Sequence, residues 1–91
     1  MDDIARIWQF SRIPTLSDEA NAALMRISRG SVDVILMQST ADRIRVVANA
    51  EADADIVRAD PACTGFVDDR LRRCVESMRA SINKSYVEVV N

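Results

Sequence analysis

Apolar positions recur at helical spacing along most of this chain, and the interruptions in that spacing predict its elements. Ile4, Ile7 and Trp8 share one side of Met1–Arg12 and predict a short N-terminal helix that stops before Pro14. Ser17, followed by Asp18 and Glu19, predicts the next helix start, because the hydroxyl accepts from an orphan amide while the carboxylates sit at the positive end of the dipole. Ala20, Ala23, Leu24 and Ile27 supply its apolar stripe, and Gly30 is placed to end it as a C′ residue.

From Ser31 to Asp60 two readings compete. As one long helix, the segment carries one row through Val32, Leu36, Ser39, Val46, Ala50, Ala54 and Val57. A second row runs on the opposite side through Val34, Met37, Ala41, Ile44 and Ala48. A helix apolar on two sides needs cover on two sides, from flanking helices or from a second copy of the chain. The alternative makes strands of Val32–Met37 and Arg43–Ala48, a β-hairpin at about 32–49 within an α+β fold. That joint has no glycine to make the turn, which favours the helix.

Asp60-Pro61 breaks the chain and Thr64 caps a last helix, with Asp68 and Asp69 near its start. Val67, Leu71, Cys74, Val75, Met78, Ile82, Tyr86 and Val89 then keep steps of three and four for six turns and predict one helix; Tyr86-Val87-Glu88-Val89-Val90 reads alternatively as an edge strand, but it stays in phase with the helix and needs no new break.

Composition narrows these readings. With 91 residues the chain is one domain, and with 48% hydrophobic and 29% charged residues it is a folding sequence rather than a disordered one. Only 4% is aromatic, so an aliphatic core that packs flat and thin is expected. Two glycines and two prolines leave too little punctuation for an all-β domain. The net charge of −2 gives no global positive field for nucleic acid or an anionic membrane. Arginine outnumbers lysine eleven to one, a usage that suggests a bacterial coding sequence. With no signal-peptide pattern and two cysteines outside any CxxC pair, a soluble cytoplasmic protein with free thiols is expected.

Little in the sequence points to catalysis. Histidine is absent, which removes the commonest general base and any Cys/His zinc site within one copy. Ser81-Ile82-Asn83-Lys84 has the spacing of a serine–lysine nucleophile pair but none of the accompanying motifs. Asp53-Ala54-Asp55 has the spelling of a cation site, yet residues two apart diverge on a helix. Cys74 falls within an apolar stripe, and Cys63 lies in an acidic loop that disfavours a thiolate; neither is expected to be a nucleophile. Glu51, Asp53, Asp55 and Asp60 are answered by Arg70, Arg72, Arg73, Arg79 and Lys84 on the following helix. If the two run antiparallel, the opposite charges line neighbouring rims, either within one chain or across a dimer.

Leu16-Ser17, Gly30, the stretch Ile44–Ala50 and Cys74 with Met78 loosely resemble the middle helices and the bilin-attachment helix of phycobiliproteins. By that resemblance Cys74 would carry the pigment. The family's Cys-Leu-Arg-Asp reads Cys74-Val75-Glu76-Ser77 in this chain, and the resemblance extends to a shared helical pattern rather than to the site.

The sequence therefore predicts an all-α bundle of three or four helices with a long central helix, paired with a symmetry mate. The function expected is protein–protein interaction without catalysis, metal or cofactor: a regulator, inhibitor, chaperone or adaptor, of the kind associated with phage or secretion. Its interface would draw on Val34, Met37, Ile44, Arg72, Arg73 and Arg79. An α+β ligand-binding or sensor domain is the second reading. A weak nucleic-acid binder using Arg72, Arg73 and Arg79 is the third.

Overall fold

The computed structural model describes residues 7–83. An extended N-terminal segment is followed by α1 (Asp18–Leu36), α2 (Thr40–Arg58) and α3 (Gly65–Ala80), and the described residues contain no strand. The chain is a small compact helical domain of 45 × 25 × 16 Å. The hairpin alternative at 32–49 is thereby overturned, since Val32–Leu36 and Arg43–Ala48 are helical and only Met37 of the two proposed strands is not.

Side-chain caps fix each helix start. The Ser17 hydroxyl accepts from the Ala20 amide at 3.1 Å, and Thr64 Oγ1 accepts from the Val67 amide at 3.2 Å, both as the sequence predicts. The start of α2 is the one that apolar periodicity conceals. Ser39 Oγ accepts from the Asp42 amide at 3.3 Å, so the residue read as part of an apolar row is an N-cap. The predicted long helix over 31–60 is therefore two helices, parted at Met37–Ser39 and folded back on each other.

Gly30 does not end α1. Its φ is not positive, and the helix continues through it to Leu36. Its missing side chain instead makes room: a Cβ there would lie 3.3 Å from Met78 Cε and 3.5 Å from Val46 Cγ1. The predicted N-terminal helix is also corrected. Residues 7–12 are not helical, and Ile4 lies outside the described residues. At the other end α3 stops at Ala80 with Ser81 as its C-cap, while Tyr86 and Val89 lie outside the described residues.

Cross-helix contacts define the arrangement. Arg26 of α1 bonds Asp53 of α2, and the Ser17 amide bonds Asp60 just beyond α2, so α1 and α2 run antiparallel. Arg58 bonds Asp68 and Glu51 pairs with Arg79, so α3 runs antiparallel to α2. On α2 the buried residues Arg43, Val47, Ala50, Ala54 and Val57 follow steps of four and three. Alanines in that seam let the neighbouring helices approach closely. They meet Ala20, Leu24, Ile27 and Val34 of α1 and Leu71, Cys74 and Met78 of α3 in one core.

Arg43 is the unexpected member of that core, 5% exposed. Its Nε donates to the Met37 carbonyl at 2.8 Å and one terminal nitrogen donates to the Ile82 carbonyl at 3.1 Å. Those carbonyls belong to the C-terminal ends of α1 and α3, where helices leave acceptors unsatisfied and carry partial negative charge. One guanidinium thus closes two helix ends.

Candidate functional site

The six predicted interface residues separate into three places. Val34 is 1% exposed and belongs to the core of its own chain, so it is not available to a partner; the fold-back at Met37–Ser39 turns it inward. Met37 is half-buried in the turn between α1 and α2, and Ile44 is 51% exposed on the second turn of α2. Arg72, Arg73 and Arg79 are exposed along α3.

Those arginines do not form an open cationic patch. Arg72 and Arg73 both pair with Asp69, and Arg79 pairs with Glu51 across the α2–α3 boundary. Arg58 bonds Asp68 at 2.5 Å and Asp55 at 3.3 Å. Among the described residues only Glu51 of the acidic segment's carboxylates meets an arginine of the basic one, Arg79, along an open groove of about 340 Å³ lined by Glu51, Arg58, Arg72 and Arg79. Each exposed pair contributes at most about 1 kcal/mol. A second open groove of about 360 Å³ lies between α1 and α2, floored by Gly30, Val46 and Ala50 and edged by Arg26, Arg29, Asp33 and Asp53.

Large apolar side chains are exposed around the α1–α2 turn. Leu36, the last residue of α1, is 72% exposed, and Ile44 faces solvent across the three-residue turn with Met37 between them in sequence. Ala41 and Ala48 are also exposed at helical spacing from Ile44. Met37, Ala41, Ile44 and Ala48 are what remains of the second apolar row once Val34 is buried, and Leu36 joins them from the first.

The groups with chemical potential are occupied structurally. Asp53 turns to Arg26 on α1 and Asp55 to Arg58, so the two carboxylates diverge. Among the described residues no three His, Cys, Asp or Glu side chains cluster to hold a metal ion. The Ser81 hydroxyl donates to the Ser77 carbonyl at 3.0 Å, and Lys84 lies outside the described residues. Cys74 is fully buried beside Met78, and burial pushes its thiol up to about 12. A sealed thiol is no place for a pigment, which removes the role that the phycobiliprotein likeness implied. The Cys63 thiol is also raised, first by burial and then by the neighbouring Asp68.

An element that sequence periodicity missed is the N-terminal strap, residues 7–16. It lies along α1 in the opposite direction, with its backbone bonded to helix side chains. Ser31 Oγ accepts the Trp8 amide at 3.0 Å, Ser28 Oγ accepts the Phe10 amide at 2.9 Å, and Asn21 Oδ1 accepts the Ile13 amide at 2.8 Å. Asn21 Nδ2 donates in return to the carbonyls of Ile13 at 2.9 Å and Leu16 at 3.2 Å. On the α3 side the Arg70 guanidinium lies 4.9 Å from the Phe10 ring centre and 5.9 Å from that of Trp8. Phe10 and Leu16 are buried, and Trp8 and Ile13 partly so. The available signal was polar: Asn21, Ser28 and Ser31 interrupt what would be the inner face of α1.

No family model matches the chain, and no curated protein or solved structure is significantly similar to it.

Proposed function

We propose that this chain is a non-catalytic protein-interaction module that pairs with a second copy through the outer side of its α1–α2 turn. Leu36 and Ile44 form the centre of the contact and Met37 its edge. The observation that supports this reading is the exposure of Leu36 and Ile44, 72% and 51%, on either side of one short turn, whereas the other exposed large apolar side chains among the described residues, Ile7, Met25 and Phe66, are spread over the strap, α1 and α3. Fully burying such a side chain is worth about 1.5–3 kcal/mol, and a two-fold contact counts each residue twice. The carboxylate partners of Arg72, Arg73 and Arg79 weigh against phosphate binding, because an incoming backbone would have to displace Asp69 and Glu51. No described helix is long and apolar enough to cross a membrane. A regulator, inhibitor, chaperone or adaptor in a bacterial cytoplasm fits such a module.

Light scattering tests the pairing. The wild type is expected at twice its 10.1 kDa chain mass, and Leu36→Glu or Ile44→Glu at the single mass with unchanged helical circular dichroism. A wild type that remains at 10.1 kDa up to millimolar concentration sinks the proposal.

A further inference from the structure

Extended backbone exposes its N–H and C=O groups on alternate sides, and these need partners wherever water is excluded. In a sheet the next strand supplies them. Here a helix does so with side chains: Ser31 for Trp8, Ser28 for Phe10 and Asn21 for Ile13. Such bonds read main chain and are blind to sequence. Selectivity comes from the other wall, where Arg70 lies over two aromatic rings whose centres are 6.4 Å apart and whose planes differ by 18°. α1 and α3 make little direct contact, and the strap occupies the gap between them. It enters that gap through Pro14 and Thr15, both exposed.

We propose that the groove between α1 and α3 is a peptide-binding site for an extended segment of the form Trp-x-Phe-x-x-Ile, occupied in one molecule by its own strap and exchangeable with the strap of a second copy. The strap's own contacts fix this occupant, because the groove is seen with that sequence seated in it. Exchange loses none of those contacts, since each strap meets in trans what it met in cis. Its hinge is the short turn in which the Leu16 amide bonds the Ile13 carbonyl at 3.0 Å, and exchanging an identical terminal element between two copies is a low-cost route to a dimer. The site is separate from the Leu36 and Ile44 surface and stands or falls without it.

Trp8 is the only tryptophan in the chain, which provides the assay. A full-length Trp8→Ala/Phe10→Ala variant has a vacated groove and no indole, so a synthetic peptide of residues 7–17 carries the whole signal. Its fluorescence is expected to shift to the blue and saturate at micromolar variant. Adding Arg70→Ala should weaken that binding severalfold. A Trp8→Phe chain keeps its strap docked, and because the tethered strap competes at roughly millimolar effective concentration, it should bind the peptide at least tenfold more weakly. No blue shift with a double variant that retains its helical circular dichroism overturns the proposal, as does equal binding to the double variant and to Trp8→Phe. Should the double variant not fold, titration of Trp8→Phe with peptide to millimolar decides alone: saturation abolished by Arg70→Ala supports the site, and no saturation overturns it.

Discussion

Gly30 is where two readings of this molecule predict opposite signs. As a C′ residue in left-handed conformation, replacement by alanine would cost about 1–2 kcal/mol. As an interior residue of α1 with ordinary helical φ, the same replacement gains helix propensity of about 1 kcal/mol, partly by restraining the unfolded chain. Against that gain stands crowding. The new methyl would lie 3.3 Å from Met78 Cε, the end of a flexible side chain that yields by a few tenths of an ångström, and 3.5 Å from Val46 Cγ1, an ordinary contact. The balance favours Gly30→Ala by about 0.5 kcal/mol, a rise of roughly 2–4 °C in Tm for a domain of this size. Urea denaturation followed by circular dichroism gives the free energy directly. A loss of more than about 0.5 kcal/mol would refute the placement of Gly30 inside a continuous helix.

Two further substitutions probe the polar clamps. Arg43→Met keeps the buried stem but strands the carbonyls of Met37 and Ile82 at helix ends; we expect about 2 kcal/mol lower stability in the same assay, and an unchanged value would refute the clamp. Asp60 accepts the amides of Ser17 at 2.8 Å and Ala62 at 2.9 Å, and these bonds hold its carboxyl below the usual range. A depressed folded-state pKa stabilises above the unfolded value, near 4, and the contribution disappears as pH falls through the folded one. Asp60→Asn should therefore flatten the acid limb of the stability profile below about pH 4, and identical limbs for the two proteins would count against it.

Helix type was legible from the chain because capping and periodicity agree at Ser17 and Thr64. Boundaries failed where one signal masked another. The row Val32, Leu36, Ser39, Val46 stays in phase across the α1–α2 turn by coincidence, while Ser39 with Asp42 three residues on was the capping pattern that marked the break. Gly30 reads as a stop because glycine more often ends a helix than permits close packing. At the N-terminus Ile7 and Trp8 suggest helical spacing, yet Trp8 and Phe10 are two apart and share a side only in extended chain. The charge match between α2 and α3 was readable as complementarity, and one pair of it, Glu51–Arg79, forms within a single chain. Which apolar residues would remain in water was not readable. Val34 and Ile44 look equivalent in sequence and are separated only by the fold-back.

The order of the helices has a consequence for how the domain is made. α1 closes on α2 across three residues and α2 on α3 across six, so most of the core assembles between neighbours in sequence. Chains whose contacts are this local lose little entropy in closing their loops and complete folding within about microseconds to milliseconds. Little unpaired surface is presented to neighbouring chains during so brief a search, and a ribosome releasing the third helix would already hold a finished pair behind it.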